Sequence, residues 1–264
     1  MKFGLVSEPT QVLPDFYQLV RLQEVSSTSD EAKALAQDCA GEGTIVVADR
    51  QLGGRGRHGR EWHSPFGNLY LSLILRPGCS ASTASQLSFV SALSVGGALS
   101  VIIPSVQKVR YKWPNDVLLR GRKLSGILLE SNLHDDGMVD WLVVGVGVNV
   151  QSHPSDSQVK WPATSLHAEG FKSITAHTML REFCTAFHRR YMFWRENGFA
   201  QLREEWLASN IGLGERVEVS FPMGVVTGIL SDVAMDGSIA LLDDKGRYHK
   251  ISSGTLRLLE RLDG

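Results

Sequence analysis

A glycine- and arginine-rich stretch from Arg50 to Trp62 (RQLGGRGRHGREW) follows a short apolar run that ends at Ala48. Glycine permits unusual backbone angles and lets main-chain N–H groups come close to a ligand. Arginine supplies a planar fork of N–H donors that suits a phosphate or a carboxylate. Because glycine costs chain entropy that a plain surface turn avoids, the alternation predicts an anion-binding loop. A solvated basic turn is the alternative.

Gly54, Gly56 and Gly59 also match GxGxxG, the phosphate-binding turn of dinucleotide-binding domains. That turn must open a helix whose N-terminus holds the pyrophosphate. Here residues 64–67 (SPFG) are typical of a turn, and residues 68–75 (NLYLSLIL) alternate like a strand. The context therefore argues against a Rossmann site.

Charge, cysteine content and apolar runs argue against several classes of protein. The chain of 264 residues has a formal net charge of -1, whereas a nucleic-acid-binding domain is usually broadly basic. Its three cysteines are widely spaced and form no CxxC pair, so neither a disulfide framework nor a zinc site is expected. The longest apolar run, Phe89 to Ile103, is too short and too rich in serine for a membrane span. We expect a cytoplasmic protein without a membrane segment.

The N-terminal part contains a hydroxyl-rich turn. Residues Phe16 to Leu22 are predicted to lie as an amphipathic leader segment against the domain. Thr28 and Glu31 match a capping box that begins a helix over Ala32 to Cys39. Capping and contact with a polar ligand ring remain alternatives for these hydroxyl groups, and they can coexist.

A WPND corner lies between two strand-like runs at residues 109–119. Pro114 fixes its own φ and biases Trp113 toward an extended shape, and the Asn and Asp that follow close the turn. Turn formation does not explain the charged residues Lys112 and Asp116 on either side. They could present a cation to a ligand and a base to an incoming nucleophile.

Two glycines interrupt the strand predicted over Asp140 to Val150. Gly145 and Gly147 are two residues apart, so they face the same side of the sheet, and Asn149 continues that face. Glycine in a strand commonly marks a bulge or a close approach by another group. That group could be a packed helix or a flat ligand.

The remaining pattern predicts helices over Ala84 to Ile103, Ala176 to Asn197 and Phe199 to Ser209. From Gly214 onward, five short strands are separated by turns, which favours a small barrel. We therefore predict an α+β fold with two domains, residues 1–212 and 213–264.

Four motifs in this order, GRGRHGREW, KWPND, KLSGILLE and GVGVN, followed by a small β barrel, resemble the biotin protein ligases. The resemblance runs from about Ser26 to the C-terminus. It implies a mixed-sheet catalytic domain of the biotin/lipoate ligase type with a C-terminal SH3-like barrel. Some family members carry an N-terminal DNA-binding module, and this chain resembles the class without one, so no sequence-specific DNA binding is expected.

The resemblance also implies the reaction. Biotin and MgATP form biotinyl-5′-AMP and pyrophosphate, and a lysine of a biotin carboxyl carrier protein or domain then attacks the mixed anhydride. The substrates and cofactors implied are biotin, ATP and Mg²⁺, with Mg²⁺ held by the ATP phosphates rather than by protein ligands. A monomer or a homodimer is expected.

The site residues follow by matching positions, and Ser29 is a departure because the family often has Asn there. Catalysis is assigned to Arg55, Arg57, Asp116 and Lys123. Biotin binding is assigned to Ser27, Thr28, Ser29, Gln51, Gly54, Arg55, Gly56, Arg57, Lys123, Gly126, Gly145 and Gly147. Nucleotide binding is assigned to Lys112, Asn115, Asn149 and Trp62, whose ring would stack on adenine.

The roles agree with elementary chemistry. Attack on the α-phosphate concentrates negative charge that arginine, lysine and Mg²⁺ can stabilise. The ureido ring of biotin needs both donors and acceptors, which hydroxyl and amide side chains supply. A lipoate or octanoyl protein ligase of the same superfamily, a non-catalytic biotin-binding regulator and a nucleic-acid binder are the alternatives.

Overall fold

The structure is a computed structural model that describes residues 13–103, 109–159, 161–221 and 224–259. Two β-sheets organise this part of the chain, one of seven strands and one of five. The strands of the larger sheet are Gln18–Val25 (β1), Thr44–Gln51 (β2), Leu69–Leu75 (β3), Val109–Lys112 (β4), Asp116–Leu119 (β5), Arg122–Leu133 (β6) and Val139–Val148 (β7). The smaller sheet contains Arg216–Phe221 (β8), Gly224–Val233 (β9), Ile239–Leu242 (β10), Tyr248–Ile251 (β11) and Thr255–Leu258 (β12). The α-helices are Thr28–Gln37 (α1), Ala81–Ala84 (α2), Leu87–Ile102 (α3), Ala176–Asn197 (α4) and Ala200–Ala208 (α5).

The larger sheet is mixed, in the order β1-β2-β3-β7-β6-β5-β4. Only the pair β1 and β2 is parallel among its described ladders, and the other pairs are antiparallel. The smaller sheet is antiparallel throughout its described ladders, in the order β11-β10-β9-β8-β12. The α+β mixed-sheet fold and the separate C-terminal sheet are confirmed, whereas the SH3-like detail stays a prediction.

Helices cover both faces of the larger sheet. Successive side chains of its strands point to opposite faces, and apolar side chains lie on both. Ile74 and Val143 pack with Ala32 and Ala36 of α1 on one face. The neighbouring positions on β3 and β7 point the other way and join the main core with α3 and α4. Helix α1 therefore packs on the face opposite to α3 and α4, and the α1 face carries the site described below.

Helix α3 lies in the centre of that main core. Residues Ala81–Ile102 are long and apolar enough to cross a membrane by length and composition, which the shorter apolar run in the sequence did not suggest. However, 72% of the segment's most apolar window is buried inside the protein. The buried hydroxyls of Ser91 and Ser94 are satisfied within the helix, since each donates to the carbonyl four residues earlier. The segment is explained as a core helix.

The five C-terminal strands agree closely with the strands predicted from the sequence. Their inward side chains, such as Val217, Leu230 and Ile239, belong to the same hydrophobic cluster as the larger sheet. Trp113 links the two parts as well, because its indole N–H donates to the Gly237 carbonyl at 2.9 Å. The division at residue 212 stays a prediction.

Two local predictions were wrong. Of the segment expected to be an amphipathic leader, Phe16 to Leu22, the residues from Gln18 onward instead belong to β1, an edge strand paired in parallel with β2. The cap of α1 is Ser27, whose hydroxyl accepts from the Ser29 N–H, and Thr28 is already helical. Consecutive hydroxyl residues all suit an N-cap, so sequence spacing alone did not select among them.

Removing a core side chain from β3 tests this packing. Leu73 is fully buried and Leu133, at the end of β6, is 46% exposed. We expect Leu73→Ala to lower the free energy of unfolding by about 2–5 kcal/mol, because a cavity forms where the side chain was. The matched variant Leu133→Ala should change it by less than about 0.5 kcal/mol. Urea titration followed by circular dichroism measures both, and equal effects would contradict the assigned core.

Candidate active site

A cavity of about 1010 Å³ opens on the α1 face of the larger sheet and is closed on one side by the smaller sheet. This volume is at the upper end of the range that holds small-molecule ligands. Strand register places a row of site residues side by side on five neighbouring strands. The row runs Tyr70, Gly147, Gly126, Asp116, Lys112.

The middle of this row is bare backbone covered by Trp62. A Cβ added at Gly147 would lie 2.5 Å from the Trp62 ring, and one added at Gly126 would lie 3.0 Å from it. The Lys123 ammonium lies over the same ring, 5.3 Å from its centroid. The Trp62 indole N–H is buried and finds no acceptor among the described residues. Glycine in these strands is therefore explained by the close approach of a flat aromatic ring.

One end of the cavity is lined with hydroxyl and amide groups. The side-chain amide oxygen of Gln51 (Oε1) accepts from the Thr28 backbone N–H at 2.9 Å and from the Thr28 hydroxyl at 3.1 Å. Ser72, fully buried on β3, lies 2.9 Å from the Thr28 hydroxyl and 3.1 Å from that of Ser29. Gly145 allows α1 to approach the sheet closely here, since a Cβ added at Gly145 would lie 3.1 Å from the Ser29 hydroxyl oxygen. This end offers both donors and acceptors.

The other end carries a buried cluster of charges. The Asp116 carboxylate binds the Lys112 ammonium at 2.8 Å and the Lys123 ammonium at 2.6 Å. Burial alone would raise the pKa of Asp116, but the two ammonium groups outweigh it and hold this pKa well below its usual range. Asp116 is therefore a fully ionised counter-ion. The three groups together retain one positive charge.

The glycine-arginine loop folds as a small hairpin over the cavity. The Gly56 N–H donates to the Arg60 carbonyl at 2.7 Å, and the Trp62 N–H donates to the Gly54 carbonyl at 2.9 Å. No α-helix begins in this loop, only a short 3-10 turn, Arg57–Gly59, so the argument against a Rossmann site is confirmed. His58 adopts φ 57° at the hairpin tip.

The arginines of the hairpin point in different directions. Arg55 makes a bidentate ion pair with Asp30 of α1, at 2.7 and 2.5 Å, which lowers the pKa of Asp30 to about 2. Arg57 and Arg60 reach the smaller sheet instead. Burial lowers the pKa of Arg57, and the charge of Asp116, which lines the same cavity, partly opposes that shift. Arg57 is thus the hairpin arginine that adds most directly to the charge cluster.

Two asparagines hold loops at the cavity wall. Asn115 donates to the Ile127 carbonyl at 2.6 Å, and Asn149 donates to the Thr164 carbonyl at 3.0 Å. Trp161 follows in the same wall, with the Lys112 ammonium 5.1 Å from its ring centroid. Both asparagines line the cavity while they shape its wall.

The structure brings together nearly all the site residues predicted from the sequence. The cavity is lined by Ser27, Thr28, Ser29, Gln51, Arg55, Gly56, Arg57, Trp62, Lys112, Asn115, Asp116, Lys123, Gly126, Gly145, Gly147 and Asn149. Gly54 does not line it. A Cβ there would lie 2.4 Å from the Ser64 hydroxyl and 2.5 Å from the Trp62 carbonyl, so Gly54 permits close packing beneath the hairpin.

Sequence reasoning missed the contribution of the smaller sheet. Glu218, Ser220, Thr255 and Arg257 line the cavity although they lie about 160 to 200 positions away from the hairpin in the sequence. The only sequence signal near these residues is the alternation of polar and apolar side chains along the strands. That alternation does not indicate which part of the protein the polar side chains face. Ser72 was missed as well, although its alternation with the apolar residues of β3 places it on the α1 face.

Among the described residues, no group of three or more His, Cys, Asp or Glu side chains could hold a metal ion. The carboxylates lining the cavity are Glu61, Asp116 and Glu218, and Asp116 is occupied by lysines. This donor set fits a Mg²⁺ ion that arrives on substrate phosphates and keeps its waters, rather than a dedicated protein cage.

Comparison with known proteins agrees with this fold and cavity. Residues 21–149 match the model of the Biotin/lipoate A/B protein ligase family. The chain is similar over 92% of its length to a biotin protein ligase from Aquifex aeolicus in complex with biotin and ATP, with a TM-score of 0.77, 32% identity and the whole of that chain covered. The fold and site are those of a protein ligase of the biotin/lipoate class.

Two curated relatives distinguish between the biotin and lipoate members of this class. The chain is 37% identical to a biotin--[acetyl-CoA-carboxylase] ligase of Paracoccus denitrificans, over 86% of this chain and 95% of that one. It is 32% identical to the bifunctional ligase/repressor BirA of Bacillus subtilis, over 98% of this chain and 78% of that one. The chain belongs to the biotin protein ligase family.

The contact between Trp62 and the glycine row can be tested without substrate. In Gly147→Ala the new methyl group would overlap the Trp62 ring, so we expect the ring and its hairpin to be displaced. Trypsin should then cleave after Arg57 and Arg60 several-fold faster, as followed by mass spectrometry. Gly41→Ala is the control, because nothing lies within 4 Å of its added Cβ. Equal cleavage of the two variants would contradict the contact.

Proposed function

We propose that this chain is a biotin protein ligase, which activates biotin with MgATP and transfers it to a lysine of a biotin carboxyl carrier protein. One observation carries the proposal. A single cavity joins a hydroxyl and amide end, suited to a neutral polar ring, to a cationic end around Lys112, Lys123 and Arg57, suited to phosphates.

In the first step, a carboxylate oxygen of biotin attacks the α-phosphorus of ATP, and the bond to pyrophosphate breaks. Lys123 and Arg57 stabilise the negative charge that gathers on the phosphate oxygens. Asp116 fixes the position of Lys123 before ATP arrives, because their contact is 2.6 Å and largely buried. Mg²⁺ would bind the phosphates and shield the departing pyrophosphate.

The hydroxyl end holds the ureido ring and orients the valeryl chain toward the cationic end. Thr28, Ser29 and Gln51 offer donors and acceptors. The hydrogen bonds between Thr28 and Gln51, and between Ser29 and Ser72, fix their directions before biotin binds. Trp62 lies between the two ends, next to Lys123. We expect its ring to stack on adenine, and Asn115 and Asn149 to complete the nucleotide-binding wall.

In the second step, the amine of the carrier lysine attacks the carbonyl carbon of biotinyl-5′-AMP. An amide forms, the carbonyl–O bond to AMP breaks, and one proton leaves the amine. A free lysine has a pKa of about 10.4, so only about one in a thousand is neutral near pH 7. Asp116 as the base for this proton stays a prediction. Its low pKa and two lysine partners support a positioning role in addition.

The proposal also covers the protein substrate, the oligomeric state, the location and the domain boundary. We propose that the protein substrate is a carboxylase carrier domain and that the chain is a monomer or a homodimer. We further propose that it is cytoplasmic and that its C-terminal domain begins near residue 213. Three free cysteines support the location. The net charge of -1 supports the absence of sequence-specific DNA binding, which gel-shift measurements can test because the Bacillus relative is a ligase/repressor.

Pyrophosphate release tests the function directly. We expect the purified chain to release pyrophosphate from MgATP with biotin, but not with lipoate or without an acid. Addition of a biotin carboxyl carrier domain should then give a covalent mass gain of one biotinyl group. Release with lipoate alone would indicate a lipoate ligase, and no release with either acid would favour a non-catalytic biotin-binding protein.

Asp116→Asn separates the two roles of Asp116. We expect at least about tenfold slower biotin-dependent pyrophosphate release, because Lys123 loses its anchor and two buried ammonium groups remain without a counter-ion. Transfer is measured separately by supplying preformed biotinyl-5′-AMP and the carrier domain.

Slow transfer from preformed adenylate would support Asp116 as the base, and normal transfer would exclude that role. Asp49→Asn is the matched control, because the side-chain contact of Asp49 within the described part of the chain is an exposed ion pair with Arg21. The positioning role is contradicted if the Asp116 variant releases pyrophosphate as fast as this control.

A further inference from the structure

The glycine-arginine hairpin is tied to the smaller sheet by two hydrogen bonds. The Arg60 guanidinium donates to the Thr255 hydroxyl at 2.7 Å, and the Arg57 guanidinium donates to the Gly254 carbonyl at 3.2 Å. Both acceptors lie at the turn that begins β12. These contacts join residues about 195 positions apart, so they exist only when the two sheets are docked.

The position of this turn is set by its own packing. Thr255 pairs with Ser220 of β8. A Cβ added at Gly254 would lie 2.7 Å from the Val219 side chain and 3.0 Å from the Ser220 carbonyl. Gly254 therefore lies directly against β8, and the two acceptors are presented by a rigid part of the sheet rather than by a free loop.

The hairpin is also held at its opposite side. Arg55 pairs with Asp30 of α1, and Trp62 rests on Gly147. The hairpin thus crosses the cavity from α1 to the smaller sheet. The Arg55–Asp30 pair is at least a third exposed and the Arg60–Thr255 hydrogen bond is exposed as well, so solvent weakens both, and neither side alone provides a strong attachment for the hairpin.

We propose that Thr255 is a positioning residue that, through Arg60, keeps the hairpin closed over the activated intermediate. The inference rests on the proposed function. A mixed anhydride in the cavity lies under the hairpin, so it can escape to water only when the hairpin lifts from the smaller sheet. The smaller sheet therefore controls how long biotinyl-5′-AMP is retained for the carrier lysine.

The test compares retention of the intermediate with its formation. Without a carrier domain, the chain should form about one equivalent of adenylate and then release pyrophosphate only as fast as the adenylate escapes. Thr255→Val removes the acceptor at nearly constant volume. We expect the slow phase of pyrophosphate release, and the free biotinyl-5′-AMP recovered by filtration, to rise about threefold to tenfold, since the lost hydrogen bond is charge-assisted but partly solvated.

Two variants distinguish positioning from a general loss of structure. Thr255→Ser keeps the hydroxyl and should restore slow release. Thr185→Val is the isosteric control, because the Thr185 hydroxyl bonds only within α4, to the Arg181 carbonyl. In a double-mutant cycle, Arg60→Gln should add little to Thr255→Val, because both break the same contact.

The outcomes separate this inference from the proposed function. If the unmodified chain shows no biotin-dependent burst of pyrophosphate, the proposed function fails. If the burst is present but Thr255→Val releases adenylate as slowly as Thr185→Val, the positioning role is overturned. Additive effects of the Arg60 and Thr255 variants would overturn it as well, since the two side chains would then act separately.

Discussion

The site depends on two glycines that lie side by side on adjacent strands. Gly147 and Gly126 are paired in register, and no side chain could replace either without meeting the Trp62 ring. A sheet that gives up two side chains loses packing and rigidity at that point. Trp62 restores much of the lost contact, and a flat surface remains beside the charge cluster. The same bare backbone therefore supports the hairpin and forms the floor of the cavity.

The charge cluster is held by neighbouring strands rather than by a loop. Lys112 and Asp116 face each other across the turn between β4 and β5, and Lys123 approaches from β6. Removing three charged groups from water is costly, and contacts of 2.6 and 2.8 Å compensate for part of that cost. The surplus positive charge is fixed before a ligand arrives. A preorganised cation of this kind suits phosphate chemistry, because no reorganisation is needed in the transition state.

Local patterns predicted most of the fold and most of the site. The strands, the long helices and the motifs around Arg57, Asp116 and Gly147 are continuous in sequence, so spacing was informative. Prediction failed where the sequence was equally compatible with several local structures, as for the N-cap at Ser27 and the edge strand β1. It also failed where a role depends on docking, because nothing near Thr255 in the sequence specifies the hairpin arginine that it contacts.

The two ends of the hairpin explain why a glycine-rich segment can be ordered without a helix. Its glycines carry a large entropic cost, which internal backbone hydrogen bonds offset only in part. Side-chain contacts to α1 on one side and to β12 on the other supply the rest. The bidentate Arg55–Asp30 pair and the Arg60–Thr255 hydrogen bond are both exposed to solvent, which weakens them, so we expect a closed hairpin that can still open. That balance is what a site needs when it must admit two substrates, exclude water and then admit a protein lysine.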